Sequence, residues 1–257
     1  MRASDEAPES VGIRPYARLL TMLGEQLIKN DTVALVELIK NSYDADASKV
    51  RVDFGHSVSK GSLAVVDDGD GMSESIVREH WLNPATATKR DSKLTQRATS
   101  KGRIIQGEKG IGRFAIFKLG SVARIVTRAR GSDLEIVIEY DLRFLDETVA
   151  DESSKGARQL FLDEVEVGLS IRPPQVFNGE SPHGLGSVCG TRIEVEFLRK
   201  DWTRKAIERV FHEISRLQPI IPAAGVEPPP QDARFDVQYW KDGDRLNLED
   251  AHRRLLE

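Results

Sequence analysis

The stretch DTVALVELIKNSYDAD, residues 31–46, predicts one amphipathic helix with an unusual polar face. At about 100° per residue, Glu37, Asn41 and Asp44 fall within an arc of about 60°. The far side of this helix is apolar and carries Leu35, Leu38, Ile39 and Tyr43. Asn and Asp compete with the backbone for hydrogen bonds, so they are unfavourable inside a helix. The line of carboxylate, amide and carboxylate is therefore either a solvated face or one wall of a site.

The composition is that of an ordinary globular protein. The 257 residues are 39% hydrophobic and 30% charged, which allows one large domain or two small ones. A formal net charge of −4 gives no overall attraction to nucleic acid or to a membrane. The single cysteine, Cys189, excludes an internal disulfide bond and fits a reducing compartment. No segment has the apolar length of a signal peptide or a membrane span, so we expect a cytoplasmic protein.

Periodic patterns predict the order of the elements. The helical period predicts further helices at residues 13–28, 73–81, 107–120 (after a glycine-rich loop) and 203–217. Asn30 or Asp31 can cap the start of the helix at 31–46, and Gly120 can end the helix before it. Alternation predicts strands at residues 50–54, 63–66, 122–129, 134–140, 159–165, 187–197 and 235–239. The strand at 63–66 is the most apolar and is expected to be central. This order predicts an α+β fold, a two-layer α/β sandwich with helices on one face of a mixed sheet.

Two stretches interrupt these patterns. Residues 83–106, here called the lid, carry six basic side chains and one acid: Lys89, Arg90, Lys93, Arg97, Lys101, Arg103 and Asp91. A patternless stretch of this length is usually functional or disordered, and its charge either contacts an anion or is simply solvated.

Three prolines at 228–230 mark a second break. We therefore expect an N-terminal arm and first helix at 1–30, a central domain at 31–225 and the start of a following region at 226–257. The closing DAHRRLLE lacks a helix stop signal, as in a cut piece of a longer protein or a frayed natural terminus.

The sequence DDGDG, residues 67–71, follows the predicted central strand. Two glycines two positions apart allow a sharp turn and let the backbone pack against a flat ligand. The carboxylate of Asp67 can accept a hydrogen bond from an exocyclic amine. The same cluster is also compatible with a simple turn.

The sequence GEKGIG, residues 107–112, stands at the start of a predicted helix. Successive backbone N–H groups and a helix N-terminus favour an anion such as phosphate. The spacing matches neither a Walker motif nor a dinucleotide-binding fingerprint, and a flexible hinge before a helix remains an alternative.

Four motifs together are far more specific than any one of them. They are ExxxNxxDA at residues 37–45, DxGxGM at 67–72, GxxGxG at 107–112 and a Gly-Thr pair at 190–191. In this order they resemble the GHKL superfamily: type II topoisomerase ATPase subunits, ninety-kilodalton heat-shock chaperones, mismatch-repair ATPases, microrchidia ATPases and sensor histidine kinases. The resemblance covers about residues 15–200 and implies the Bergerat fold, with a mostly antiparallel sheet. The phrase GEKGIGRFA followed by KLG is most similar to stand-alone bacterial members related to the chaperone and microrchidia branches.

The resemblance implies a role for each matching position. Asn41 would ligate Mg²⁺, Asp67 would read the adenine amino group with support from Thr191, and Gly71 would let the base lie close. Residues 107–112 and the basic lid would wrap the triphosphate, with Lys89 and Lys109 as direct contacts. The nucleotide-binding set is Asn41, Asp44, Asp67, Gly69, Gly71, Met72, Lys89, Gly107, Lys109, Gly110, Ile111, Gly112, Arg113, Phe114 and Thr191.

Glu37 decides the reaction type within this resemblance. It lies one helical turn before Asn41, where a carboxylate can deprotonate a water that attacks the γ-phosphate. Sensor histidine kinases generally lack this residue, so slow magnesium-dependent ATP hydrolysis is expected rather than phosphoryl transfer to protein. The resemblance further implies ATP-driven lid closure and a homodimer joined by residues 1–30, with a lysine from a following domain sensing the γ-phosphate. The alternatives are a nucleotide-gated switch with negligible turnover and a histidine-kinase-type domain; the client, protein or nucleic acid, stays open.

Overall fold

The computed structural model describes residues 10–55, 61–83, 98–106, 112–145, 160–216 and 234–248. The helices are α1 (Leu19–Leu27), α2 (Asp31–Asp44), α3 (Ala115–Leu119) and α4 (Arg204–Ser215). The strands are β1 (Lys49–Gly55), β2 (Ser62–Asp67), β3 (Gly120–Arg128), β4 (Glu135–Asp141), β5 (Gly168–Arg172), β6 (Gly190–Leu198), β7 (Asp236–Lys241) and β8 (Asp244–Arg245). A short π-helical segment occupies Ile76–Trp81, and a 3-10 turn at Gly112–Phe114 leads into α3. None of the helices in these described ranges is long and apolar enough to cross a membrane.

The eight strands form one sheet in the order β5-β4-β3-β6-β2-β1-β7-β8. Every pairing is antiparallel except that of β1 with β7, which is parallel. Strand β2 is paired on both sides, and all its residues after Ser62 are buried. The predicted α+β fold with a mixed, mostly antiparallel sheet is confirmed, and β2 is central as its apolar sequence predicted.

The helices cover one face of the sheet and enclose the main core. Alternate β2 side chains, Leu63 and Val65, meet the apolar side of α2 there, represented by Leu35 and Ile39. The α2 helix begins where its cap predicts, because the Asn30 side chain accepts a hydrogen bond from the Val33 N–H at 2.9 Å. Its polar arc is thereby held at the edge of the core rather than over open solvent.

The opposite face of the sheet is covered by a loop at residues 173–189. Phe177 is fully buried there against Val66, Val126 and Val137. The loop is fastened by Glu135, whose carboxylate accepts the Val176 N–H at 3.0 Å and the Phe177 N–H at 3.2 Å. Burial alone would raise the pKa of Glu135, but these backbone bonds and the Arg172 guanidinium hold that pKa below its ordinary value.

The predicted strand at 159–165 is wrong within the described residues. Glu164 turns back to accept the Phe161 N–H, and Leu162–Glu164 form a 3-10 turn. Strand β5 instead lies at Gly168–Arg172, an edge strand with no fully buried residue and hence no strong apolar pattern.

The first helix also starts later than its pattern predicted. The segment before it runs beside residues 160–162 instead of coiling, because Tyr16 and Phe161 form an antiparallel bridge and stack their rings at 4.9 Å. Gly120 ends α3, as predicted, but in an extended conformation that begins β3 directly.

We expect Phe177→Ala to lower the free energy of unfolding by about 3–5 kcal/mol, because it empties a fully buried ring site. Urea unfolding measures this loss. Leu134→Ala is the control: that side chain is 46% exposed, and its loss should change the stability by less than about 0.5 kcal/mol. A Phe177→Ala loss no larger than the control would mean that the loop does not form a second core.

Candidate functional site

Three polar side chains line up where strands β2, β3 and β6 meet. Thr191 of β6 pairs with Asp67 of β2 on one side and with Thr127 of β3 on the other. All three belong to the alternating set that faces the helices. Asp67 ends β2, Thr127 lies near the end of β3 and Thr191 near the start of β6, so this row lies at one end of these three strands, next to Ser42 of α2.

The Asp67 carboxylate is the hub of this row and is 5% exposed. One oxygen, Oδ1, accepts the Gly69 N–H at 3.0 Å and the Thr191 N–H at 3.2 Å. The other, Oδ2, accepts the Ser42 hydroxyl of α2 at 2.8 Å. Burial raises the pKa of Asp67 to about 6; the three hydrogen bonds oppose that rise, and the neighbouring Asp68 adds to it.

The glycines of the 67–71 turn are required by close backbone contacts. Gly71 has φ +65°, and a Cβ there would lie 2.0 Å from the Arg128 carbonyl oxygen. A Cβ on Gly69 would lie 2.6 Å from the Ala45 carbonyl oxygen. These contacts account for both glycines without a ligand. Met72 continues the turn: its N–H donates to Thr127 Oγ1 at 2.9 Å, and its side chain packs on the main core.

The polar arc of α2 meets the backbone that precedes α3. A Cβ placed on Gly112 would lie 3.4 Å from the Asn41 amide nitrogen and 3.8 Å from Glu37 Oε2. Glu37 also accepts an ion-paired hydrogen bond from Lys40 at 3.0 Å. The arc is half-buried, so the alternative of a freely solvated face does not hold.

Asp44, the third residue of the arc, holds the chain just before the glycine-rich sequence. Its Oδ1 accepts the Gln106 N–H at 2.7 Å. Two lid cations also bind this end of α2: Lys101 donates to the Asp46 carbonyl at 2.8 Å, and Arg103 to the Ala47 carbonyl at 2.7 Å. Arg103 is buried by these contacts, so the alternative of a solvated loop is wrong for its side chain, whereas Lys101 stays exposed.

Not every predicted site residue can be placed. Lys89, Gly107, Lys109, Gly110 and Ile111 lie outside the described residues, as does the side chain of Arg113. Phe114 is placed, but its side chain is buried in the main core near Phe117, with ring centroids 6.0 Å apart. Only its backbone is left to contribute to a ligand. The remaining predicted residues form two groups. Asp67, Gly69, Gly71, Met72 and Thr191 lie together at one end of β2, β3 and β6, whereas Asn41 lies against Gly112 and Asp44 binds Gln106.

Sequence reasoning missed Ser42, Thr127 and Asp46. Ser42 did carry a signal: it falls in the middle of the apolar arc of α2, where a polar side chain needs a buried partner. Thr127 joins the row through Thr191 Oγ1 at 3.0 Å, and it looks like any other strand residue in the sequence. Asp46 has φ 59°, which stops α2, and its neighbours in sequence do not reveal that it binds the lid.

Comparison with known proteins agrees with this geometry. The family model described as "Histidine kinase-, DNA gyrase B-, and HSP90-like ATPase" matches residues 29–166, just over half of the chain. The chain is 24% identical over 225 residues to the chaperone protein HtpG of Aliivibrio fischeri, covering 78% of this chain and 35% of that protein. It is 30% identical over 106 residues to a putative type II restriction enzyme, HgiDII, of Herpetosiphon aurantiacus, covering 41% of this chain and 16% of that protein. The chain thus spans well under two thirds of either relative.

The raised pKa of Asp67 predicts a pH-dependent stability. Because the folded state binds the proton more tightly than the unfolded chain does, the contribution of Asp67 is fully present below pH 3.8 and is lost as the pH rises through about 6. Relative to Asp67→Asn, which carries no titrating group there, the wild type should lose about 2 kcal/mol of unfolding free energy between pH 4 and pH 7.5. Urea unfolding of both proteins at each pH measures the difference. A difference that is constant with pH would contradict the buried, proton-binding carboxylate.

Proposed function

We propose a function for this chain from the family to which it belongs, the histidine kinase-, DNA gyrase B- and HSP90-like ATPases: it binds ATP with Mg²⁺ and hydrolyses it slowly to ADP. Membership of this family implies ATP binding; the residue roles, the magnesium ion and the turnover are our proposal. The observation that carries it is the buried Asp67 carboxylate at the end of β2, which is bonded to α2, the helix that also carries the half-buried arc of Glu37, Asn41 and Asp44.

Asp67 forms the adenine end of the proposed site. Its Oδ1 is committed to the Gly69 and Thr191 N–H groups, while among the described residues Oδ2 receives only the Ser42 hydroxyl. A carboxylate oxygen accepts more than one hydrogen bond, so Oδ2 has capacity for the exocyclic amino group of adenine. A carboxylate offers no donor, so it favours a base that presents an amino group over one that presents a carbonyl oxygen.

Asn41 and the backbone at Gly112 form the phosphate end. The Asn41 side chain lies against the Gly112 backbone, where the 3-10 turn and then α3 begin. An amide oxygen is a suitable Mg²⁺ ligand, and one protein ligand suffices because this ion retains water and binds phosphate oxygens. Magnesium held there would neutralise the charge of the triphosphate. Backbone N–H groups of a glycine-rich turn add favourable partial charge for the phosphate oxygens.

Glu37 is the proposed general base. It would accept a proton from a water molecule while that water's oxygen attacks the γ-phosphorus and ADP leaves with the bridging oxygen. Its neighbours support this role, because Asn41 and Gly112 lie on the same side of α2. In the structure Lys40 is paired with Glu37 Oε1, so the reacting water would bind Oε2, the oxygen on the Gly112 side, or displace Lys40. That ion pair favours the second candidate, a nucleotide-gated switch in which binding acts and turnover is negligible.

Lid closure, dimerisation and the client are further proposals. In the arm hypothesis, residues 1–30 of each subunit cross to the other subunit of a dimer. Arg14 and Tyr16 would then have to release their contacts with residues 160–163. ATP-induced dimerisation that survives deletion of residues 1–18 would contradict it. The two relatives bear names of different kinds, a chaperone and a putative restriction enzyme, so they leave the client undecided.

Glu37→Gln should retain ATP affinity within about threefold and lose at least about 100-fold in kcat, because the amide keeps the shape but cannot take a proton. Calorimetric titration gives the affinity, and phosphate release gives kcat. The matched control is Glu208→Gln, which removes a similar helical ion pair, with Arg204 on α4, away from the site. Two results together would favour the nucleotide-gated switch over the ATPase: the wild type binds ATP without turnover, and a non-hydrolysable analogue acts like ATP in a dimerisation assay.

Asp67→Asn should weaken ATP binding by about 10–100-fold while leaving the fold intact. The N–H groups of Gly69 and Thr191 need an acceptor, so the side-chain oxygen of the new Asn would take the Oδ1 position. Its NH₂ group would then take the Oδ2 position and donate to the Ser42 hydroxyl oxygen. There the NH₂ group would meet the adenine amino group donor to donor, so GTP should lose much less affinity than ATP. Titration of both nucleotides measures the ratio, and equal losses would remove Asp67 from base recognition.

A further inference from the structure

Residues 98–106, the end of the lid, form a small hairpin seated on the C-terminal end of α2. Ala98 and Ile104 close the hairpin by an antiparallel bridge. Asp46, just after α2, binds its turn: the carboxylate accepts the Thr99 hydroxyl and, at 3.0 Å, the Lys101 N–H. This part of the lid is therefore attached to the same helix that carries the proposed catalytic arc.

The central contact of the hairpin is a buried arginine. Arg103 is 6% exposed, and its Nη1 donates to the Tyr43 carbonyl at 3.2 Å and to the Ala47 carbonyl at 2.7 Å. Its Nη2 donates to the Arg234 carbonyl at 3.3 Å. The guanidinium carbon also lies 4.8 Å from the centre of the Tyr43 ring and 5.4 Å from that of Phe235.

These contacts fix both the position and the charge of Arg103. Carbonyls at a helix C-terminus lack partners within the helix and carry partial negative charge, which favours a cation. A planar guanidinium can bond several carbonyls at once, and its attraction to aromatic rings is stronger where water is excluded. Arg103 is therefore committed to backbone carbonyls and aromatic rings, unlike a lid cation that reaches for phosphate.

The hairpin ends on the polar arc of α2. Three residues after Arg103, the Gln106 N–H donates to Asp44 of that arc at 2.7 Å. We propose that Arg103 is a positioning residue for the phosphate half of the nucleotide site: it clamps residues 98–106 between α2 and the segment before β7, and so holds Gln106 on Asp44, one turn of α2 from Asn41. This inference rests on the proposed ATP binding and adds a residue that touches neither nucleotide nor metal.

The clamp also makes a distant part of the chain a component of the site. Arg234 and Phe235 lead into β7, far beyond the residues 29–166 that the family model matches. Phe235 meets Tyr43 edge-on at 5.2 Å, so both rings enclose the guanidinium. Support for the phosphate half thus comes from a strand that lies outside the matched family region.

The test compares ATP with adenosine, because only ATP uses the phosphate half. By calorimetric titration, Arg103→Met should weaken ATP binding by about tenfold and leave adenosine within about twofold of wild type. Arg103→Lys keeps the charge but cannot bond three carbonyls together, so its ATP loss should be smaller, about threefold. If Arg103→Met does not fold, the comparison of ATP with adenosine in Arg103→Lys tests the positioning role.

The control is Arg172→Met, which removes the ion pair to buried Glu135 at the other end of the sheet. It should lower the melting temperature and leave the affinities for ATP and adenosine unchanged. Equal losses for ATP and adenosine in the Arg103 variants, or no loss for ATP, would overturn the positioning role. A wild type that binds adenosine but not ATP would overturn it too, whereas a wild type that binds neither would overturn the proposed function itself.

Discussion

The buried carboxylate of Asp67 is the constraint on which the rest of the site depends. It joins the turn that follows it, through Gly69, to two segments that are remote in sequence: α2 through Ser42 and β6 through Thr191. Burying a carboxylate is unfavourable unless its oxygens are bonded, so each partner has to be held in place. The turn achieves this with glycines that approach neighbouring carbonyls too closely for any side chain. The result is a rigid hydrogen-bond acceptor at the end of β2, and such an acceptor is suited to recognising one base.

The same helix serves the core and the site on opposite sides. The apolar side of α2 packs on the sheet, and its polar arc faces the backbone at Gly112. Because packing fixes the rotation of α2 about its axis, Glu37, Asn41 and Asp44 have a defined direction without any ligand. The two ends of the proposed site are the acceptor on β2 and the polar arc on α2. The Ser42 hydroxyl, also on α2, bonds the acceptor and so joins the two elements. A nucleotide would therefore meet a site whose parts are already oriented, which reduces the entropy lost on binding.

Much of this could be predicted from the sequence, for reasons that are local. The 3.6-residue period gave α2, the alternation gave β1 and β2, and Asn30 marked the helix start. The ordered motifs gave Asp67 and the α2 arc, and the family they resemble is the one to which the chain belongs. What failed depends on contacts across the fold. Strand β5 lacks an apolar pattern because it lies at the edge, and Arg103 looked like one more surface cation because its partners are carbonyls, which every residue has.

The parallel pairing of β1 with β7 has a consequence for the order of folding. It joins residues 49–54 to residues 236–241, nearly the whole described length apart, whereas β2, β3 and β6 complete the Asp67 row by residue 198. During synthesis from the N-terminus, the Asp67 row can assemble while the last part of the chain is still in the ribosome. The Arg103 clamp cannot, because it waits for Arg234 and Phe235. Loop closure over such a separation is slow, so the nascent chain passes through a stage with one half of its site formed and the other half unsupported.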